Sequence, residues 1–278
     1  MEQTITLNDG HTMPRLGYGV WQVSDEQVEP LVQTAIESGF RHIDTAQGYS
    51  NERGVGRALR SVDTPRESLF ITSKLRGGDM GHDQALRSFE GSLDRLGLDY
   101  LDLFLIHWPL PALDRYVDTW KAFVELRASG RVRSIGVSNF TPAHLDRLIA
   151  ETGVVPAVNQ IELHPFFQQR DVRDYHRQHD IVIESYSPLG GSGGNLLENE
   201  TILAIAARHK RKPAQIVIRW HLQQGLVTLP KTATASRIPE NLAVWDFELD
   251  EGDMAHMAEL DRAEGKTLPP PDKMNNAF

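Results

Sequence analysis

An acid and a phenol stand five residues apart, as Asp44 and Tyr49, in the run Gly-Phe-Arg-His-Ile-Asp-Thr-Ala-Gln-Gly-Tyr-Ser-Asn-Glu-Arg-Gly-Val-Gly over residues 39–56. A short apolar stretch ends at Asp44, so the carboxylate sits where a buried strand stops. Leaving such a group unpaired away from water costs on the order of several kcal/mol, and a lysine or arginine must answer it. Lys74, near the end of Leu-Phe-Ile-Thr-Ser-Lys-Leu, is the candidate, and His107 follows a nearly continuous apolar run, residues 100–106. An ammonium beside a phenol favours the phenolate, which predicts a Tyr49 pKa below its ordinary value of about 10. Tyr49 would then donate a proton near neutral pH, Asp44 would fix and balance the lysine, and His107 would orient a carbonyl. Singly, each residue has a plain structural reading as packing, solvated surface or ion pair. Together they make a complementary set for protonating a polarised carbonyl.

These four groups converge only if their strands lie side by side. Residues 4–15 read as a hairpin turning at Asp9-Gly10, and an alternation follows. Strands are expected at 16–20, 42–44, 69–75, 100–106, 132–137, 155–161, 181–186 and 226–230. Helices are expected at 25–38, 51–60, 83–96, 114–129, a stretch opened by Thr141-Pro142, 170–179, 200–209 and 213–224. Two further helices, 236–243 and 250–261, precede a tail rich in Pro, Asp and Asn. Eight strands alternating with helices predict an α/β fold, a (β/α)8 barrel with an N-terminal β-hairpin and two extra helices, with an open doubly wound sheet as competitor. No composition break divides the chain, so residues 1–278 are expected to form one barrel domain with an irregular tail from about 262. Reactive groups of such a barrel lie at the carboxyl ends of its strands, which is where Asp44, Lys74 and His107 fall.

The later strands end in a different chemistry. Ser138, Asn139 and Gln160 offer groups for a carboxamide, Tyr186 offers an aromatic face, and the loop Ser187-Pro-Leu-Gly-Gly-Ser-Gly-Gly suits a pyrophosphate. Lys231, Thr232 and Arg237 form a local phosphate trap.

Composition narrows the partners. A net charge of −9 argues against nucleic acid, and the absence of cysteine removes thiolate nucleophiles, disulfides and Cys-ligated metals. With 40% hydrophobic residues a large core can be buried, and neither a signal peptide nor a membrane span is apparent, so a cytoplasmic monomer is expected. No metal is expected: His176 and His179, three apart, have no evident third ligand.

Four stretches carry a resemblance: residues 39–56 with Asp-Thr-Ala and Tyr-x-Asn-Glu; Leu-Gly-Leu-Asp-Tyr-Leu-Asp-Leu-Phe-Leu-Ile-His-Trp-Pro from Leu96; the segment Gly130 to Phe140; and Leu-Pro-Lys-Thr-x4-Arg-Ile-Pro-Glu-Asn from Leu229. The chain resembles the aldo-keto reductases from end to end, and within them the bacterial 2,5-diketo-gluconate and methylglyoxal reductases. The resemblance implies an NADPH-dependent reductase of small carbonyl compounds with the tetrad Asp44, Tyr49, Lys74 and His107. It implies nicotinamide contacts at Ser138, Asn139, Gln160 and Tyr186, pyrophosphate contacts at Ser187 and Leu189, and adenine-phosphate contacts at Lys231, Thr232, Arg237, Glu240 and Asn241. Trp21, Tyr49, His107, Trp108 and Phe140 are expected around the substrate, in a pocket left open by the short loop after His107 and the brief tail. Two rivals keep the barrel: a Schiff-base aldolase using Lys74, and a non-catalytic nucleotide-sensing subunit.

Overall fold

The computed structural model describes residues 2–191 and 195–275. A two-stranded antiparallel hairpin, β1 (Thr4–Thr6) and β2 (Thr12–Pro14), precedes eight parallel strands: β3 (Tyr18–Gly19), β4 (His42–Asp44), β5 (Phe70–Leu75), β6 (Leu101–Ile106), β7 (Val132–Ser138), β8 (Val158–Glu162), β9 (Val182–Tyr186) and β10 (Val227–Thr228). Each strand pairs with the next in sequence, and a parallel bridge between Leu16 and Thr228 joins the last to the segment leading into the first. Gly17 N donates to Thr228 O at 3.0 Å and Thr228 N to Arg15 O at 2.9 Å, which closes the barrel and settles against the open sheet.

The helices cover the outside: α1 (Asp25–Ser38), α2 (Glu52–Ser61), α3 (His82–Leu96), α4 (Tyr116–Ala128), α5 (Pro142–Thr152), α6 (Arg170–Gln178), α7 (Glu200–His209) and α8 (Pro213–Gln223), with α9 (Arg237–Leu242) and α10 (Glu251–Ala258) added at the end. Strands covered on both faces run largely apolar, as in β6, every residue of it buried, where the one acid, Asp102, accepts from Arg66 Nη2 (2.6 Å) and Ile71 N (2.9 Å). α1 shows how the chain is delivered to the site. Ser24 caps its start, and Gly39 ends it in the left-handed conformation (φ 112°), turning the chain directly into β4 and Asp44.

Inside the barrel, Leu7 and Met13 of the hairpin region pack with Leu103, Leu105, Val158 and Val227, so the hairpin plugs the amino-terminal end and leaves the carboxyl ends of the strands as the mouth. The sequence expectation for α10 overran: the helix stops at Ala258 rather than 261. The Gln168 amide takes the carbonyls of Met257 (2.8 Å) and Ala258 (3.4 Å), while Asp261 accepts from Gln168 N at 2.9 Å. No helix among the described residues is long and apolar enough to cross a membrane.

Candidate active site

Asp44 ends β4, and the chain makes one 3-10 turn, Gln47–Tyr49, before α2. Polar side chains wire this turn in place. Gln47 donates to Ser88 O (3.1 Å) and Ser92 Oγ (2.8 Å) and accepts from Arg76 N (3.0 Å). Asn51, which by position caps α2, instead sends its amide to Val20 O (3.0 Å) and Val23 O (2.9 Å) and accepts from Thr45 Oγ1 (2.7 Å). Glu52 accepts from Ser73 Oγ and Arg95 Nε, each at 2.6 Å. Tyr49 is thereby held against the end of β5.

Lys74 is fully buried, and its ammonium donates to Asp44 Oδ1 at 2.7 Å, Thr45 O at 2.9 Å and Tyr49 Oη at 3.3 Å. Burial by itself would lower its pKa, but the Asp44 carboxylate and Tyr49 outweigh that and hold it raised, so the amine stays charged. The Tyr49 phenol is the correction here. Burial pushes it up, and the opposing pull of Lys74 does not bring it below its ordinary value, because the ammonium is shared with Asp44. His107 stands edge-on to Tyr49 with ring centroids 5.7 Å apart. Burial, aided by the positive Lys74, lowers its pKa to about 3, which makes it a neutral imidazole able to hydrogen-bond a carbonyl oxygen.

Asp44, Tyr49 and His107 form the floor of a cavity of about 620 Å³, with Lys74 buried behind them, and its walls are Trp21, Trp108, Ser138, Asn139, Gln160, Tyr186, Ser187, Leu189 and Lys231. Tyr186 Oη donates to Asn139 Oδ1 (2.7 Å), and Asn139 Nδ2 to His107 O (3.0 Å), locking the amide beside the histidine. Ser138 Oγ donates to Gln160 O at 2.9 Å. Gln160 Nε2 donates to Asp44 Oδ2 (2.9 Å) and to Glu184 Oε2 (2.6 Å). A second cavity of about 280 Å³ is lined by Thr232, Arg237, Glu240 and Asn241, and Leu189 and Lys231 line both, so the two form one elongated groove. Neither Lys231 nor Arg237 has an ion-pair partner among the described residues. Glu240, in contrast, holds the Lys212 ammonium. Part of the glycine-rich loop expected at the pyrophosphate, residues 192–194, lies outside the described residues.

Two expectations about the pocket are corrected. Phe140 does not face this cavity: Asn159 binds its backbone N (3.4 Å) and O (2.9 Å), and its ring packs edge-on against Tyr116 and His144. Nor is the mouth left uncovered by the tail. The tail's Leu268 and Met274 line the cavity, anchored because the buried Glu162 carboxylate at the end of β8 accepts from Thr267 N (2.7 Å), Thr267 Oγ1 (2.6 Å) and Leu268 N (3.2 Å). Sequence reasoning missed Glu162 and Glu184. The only signal was an acid interrupting a buried parallel strand, where it must have a partner across the sheet. His176 is occupied structurally, its ring nitrogens facing the Asn159 amide (2.8 Å) and Val172 O (2.6 Å).

The aldo/keto reductase family profile matches residues 13–262. Methylglyoxal reductase DkgA of Escherichia coli K12 is 50% identical over 270 residues, 97% of each chain. An aldo-keto reductase of Mycolicibacterium smegmatis is 50% identical over 276 residues, 99% of each. Among solved structures, a Gox0644 mutant in complex with NADPH superposes with a TM-score of 0.94 at 47% identity, covering 99% of both chains. An aldo/keto reductase from Brucella melitensis gives 0.90 at 48%, covering 93% of this chain and 99% of its own. A profile that spans nearly the whole barrel, with relatives this similar along their full length, places the chain in the aldo/keto reductase family of oxidoreductases.

Proposed function

We propose that the protein reduces small aldehydes and ketones, dicarbonyls and keto-sugar acids among them, with NADPH as reductant and Tyr49 as proton donor. The observation that carries this reading is Lys74 Nζ, buried behind the cavity floor, within hydrogen-bond reach of both Asp44 Oδ1 (2.7 Å) and Tyr49 Oη (3.3 Å), which line that floor. The cofactor fits the residues present. Amide and hydroxyl groups of Ser138, Asn139 and Gln160 suit the carboxamide, and Tyr186 suits the ring. Ser187 and Leu189 border the middle of the groove, and Lys231, Thr232, Arg237 and Asn241 suit the phosphate end. The ion-paired Glu240 belongs to the rim rather than to a free binding group.

Bound NADPH supplies the hydride that reduces the carbonyl carbon. His107, neutral, orients the carbonyl oxygen by a hydrogen bond. Tyr49 passes its proton to that oxygen as negative charge develops there, and Lys74 stabilises the phenolate left behind. Asp44 keeps Lys74 charged and aimed. Trp21, Trp108, Leu268 and Met274 exclude water and shape the space for the substrate. The raised Tyr49 pKa is consistent with a resting donor that keeps its proton until a carbonyl needs it.

Tyr49→Phe tests the assignment: turnover of methylglyoxal should fall by about 100-fold or more while NADPH affinity stays near wild type. An unchanged rate would sink it. The Schiff-base alternative is disfavoured because the Lys74 ammonium is buried and paired, which removes its nucleophilicity.

A further inference from the structure

Beneath the proposed tetrad lies a carboxyl group that the reaction as described leaves without a role. Glu184 occupies the middle of β9 and is fully buried. Its Oε2 accepts one hydrogen bond, from Gln160 Nε2 at 2.6 Å, and its Oε1 has no hydrogen-bond partner among the described residues, lying 3.5 Å from His42 Nε2. The cation near it is already committed. A lysine ammonium has three N–H donors, and those of Lys74 go to Asp44, Thr45 O and Tyr49. His42 is no substitute, since burial lowers its pKa to about 3 and leaves it neutral.

The ionisable groups bearing on Glu184 are therefore His42 and Asp44 of β4, Lys74 of β5, and Tyr49 of the turn after β4. Its neighbours in the sheet, Gln160 on β8 and Val227 on β10, carry no charge. Two carboxyls thus share one amide and one ammonium, a count that balances only if one of them keeps its proton. Asp44 holds the direct ion pair, so the proton falls to Glu184.

We propose that Glu184 is a neutral carboxylic acid that fixes the Gln160 amide jointly with Asp44, and that its ionisation sets the alkaline limit of proton donation by Tyr49. Glu184 is a positioning residue, acting through Gln160 and through the charge balance of the floor. Burial, then repulsion from Asp44, pushes its carboxyl up to about 8, within the range where the enzyme can be assayed. Once ionised, it opposes the phenolate that Tyr49 must become, and its negative charge is one of the influences that raise the phenol. The inference rests on Tyr49 being the donor, and the tests separate the two.

The test is the pH dependence, from 6 to 10, of the single-turnover rate of NADPH oxidation by methylglyoxal in wild type and Glu184→Gln. An amide of the same shape can still meet Gln160 but cannot ionise. The wild-type rate should decline above about pH 8, and the alkaline limb of the variant should move up by one pH unit or more, equivalent to about tenfold more retained rate at the alkaline end. A limb in the same place in both proteins overturns the proposal. A second measurement needs neither turnover nor the variant. The infrared spectrum of the wild type should contain a protonated-carboxyl stretch that is lost between pH 7 and pH 9, and its absence overturns the neutral Glu184 even if Tyr49→Phe proves inert. Should Tyr49→Phe stay active while the band is present, the donor assignment fails and the buried acid stands.

Discussion

At the residue scale, the site works through allocation of a few donors. Lys74 has three N–H bonds and three acceptors, and Gln160 divides its amide between two carboxyl groups. The sequence showed which types were present: Asp44, Lys74 and His107 were legible as strand-end groups, and Tyr49 as part of the loop that follows Asp44. It did not show the allocation, because that depends on distances across the barrel between residues as far apart as Gln160 and Asp44. This is why the sequence predicted a lowered Tyr49 pKa: it counted the ammonium and omitted the burial. The phosphate end makes its own residue-scale prediction. Lys231 and Arg237 lack ion-pair partners among the described residues, so replacing both with Ala should raise the KM for NADPH by about 10-fold or more, the scale of one or two charge-assisted hydrogen bonds, while leaving NADH much less affected. Equal losses for both cofactors would count against a 2'-phosphate site there.

At the element scale, the barrel strands were read to within a few residues because their apolar runs are bounded by glycines and caps, as at Gly39 and Thr141-Pro142. Short strands were the hard part: β10 keeps only Val227–Thr228 of the expected 226–230, although Leu229 N still donates to Ser185 O (3.1 Å) and Pro230 O still accepts from Gly19 N (3.4 Å). The tail is where pattern reading failed. Nothing periodic marks residues 262–275, and their anchors come from distant parts of the chain: Glu162 bonds to Thr267, 105 residues on, Arg262 N donates to Phe166 O at 3.1 Å, and His144 faces Asp272 at 3.3 Å. Glu162→Ala would leave the Thr267 and Leu268 donors without an acceptor, a cost of about 1–3 kcal/mol for each one that stays buried, so the segment should lift instead. Hydrogen exchange of residues 262–275 should accelerate, and the KM for carbonyl substrates should rise severalfold with a smaller change in kcat. Exchange unchanged from wild type would show that the other contacts of the tail hold it without Glu162.

At the scale of the whole molecule, buried ionisable groups couple stability to pH from both sides. His42 and His107 have pKa values lowered to about 3, and His221 to about 4, all by burial first. Between those values and the ordinary 6.5 the unfolded chain binds more protons than the folded one, so stability rises with pH across that window and is lost on acidification. Glu184 has the opposite sign: its folded pKa of about 8 lies above the ordinary 4.5, so its contribution declines as pH rises between them. Urea unfolding should therefore show its highest midpoint near pH 6 to 7. Below that, stability should fall by on the order of 1 kcal/mol per pH unit for each buried ring. A midpoint flat from pH 6.5 to 4.5 would contradict the neutral, buried histidines. The hairpin formed by β1 and β2 carries a last consequence at this scale. Because Leu7 and Met13 stopper the amino-terminal end of the barrel, the cavity floor opens toward the carboxyl ends of the strands, and the reductant and the carbonyl of the proposed reaction would share that side. Tenants of one side are neighbours: a molecule lying along the groove that reaches Lys231 and Arg237 would itself form part of the wall met by the next one.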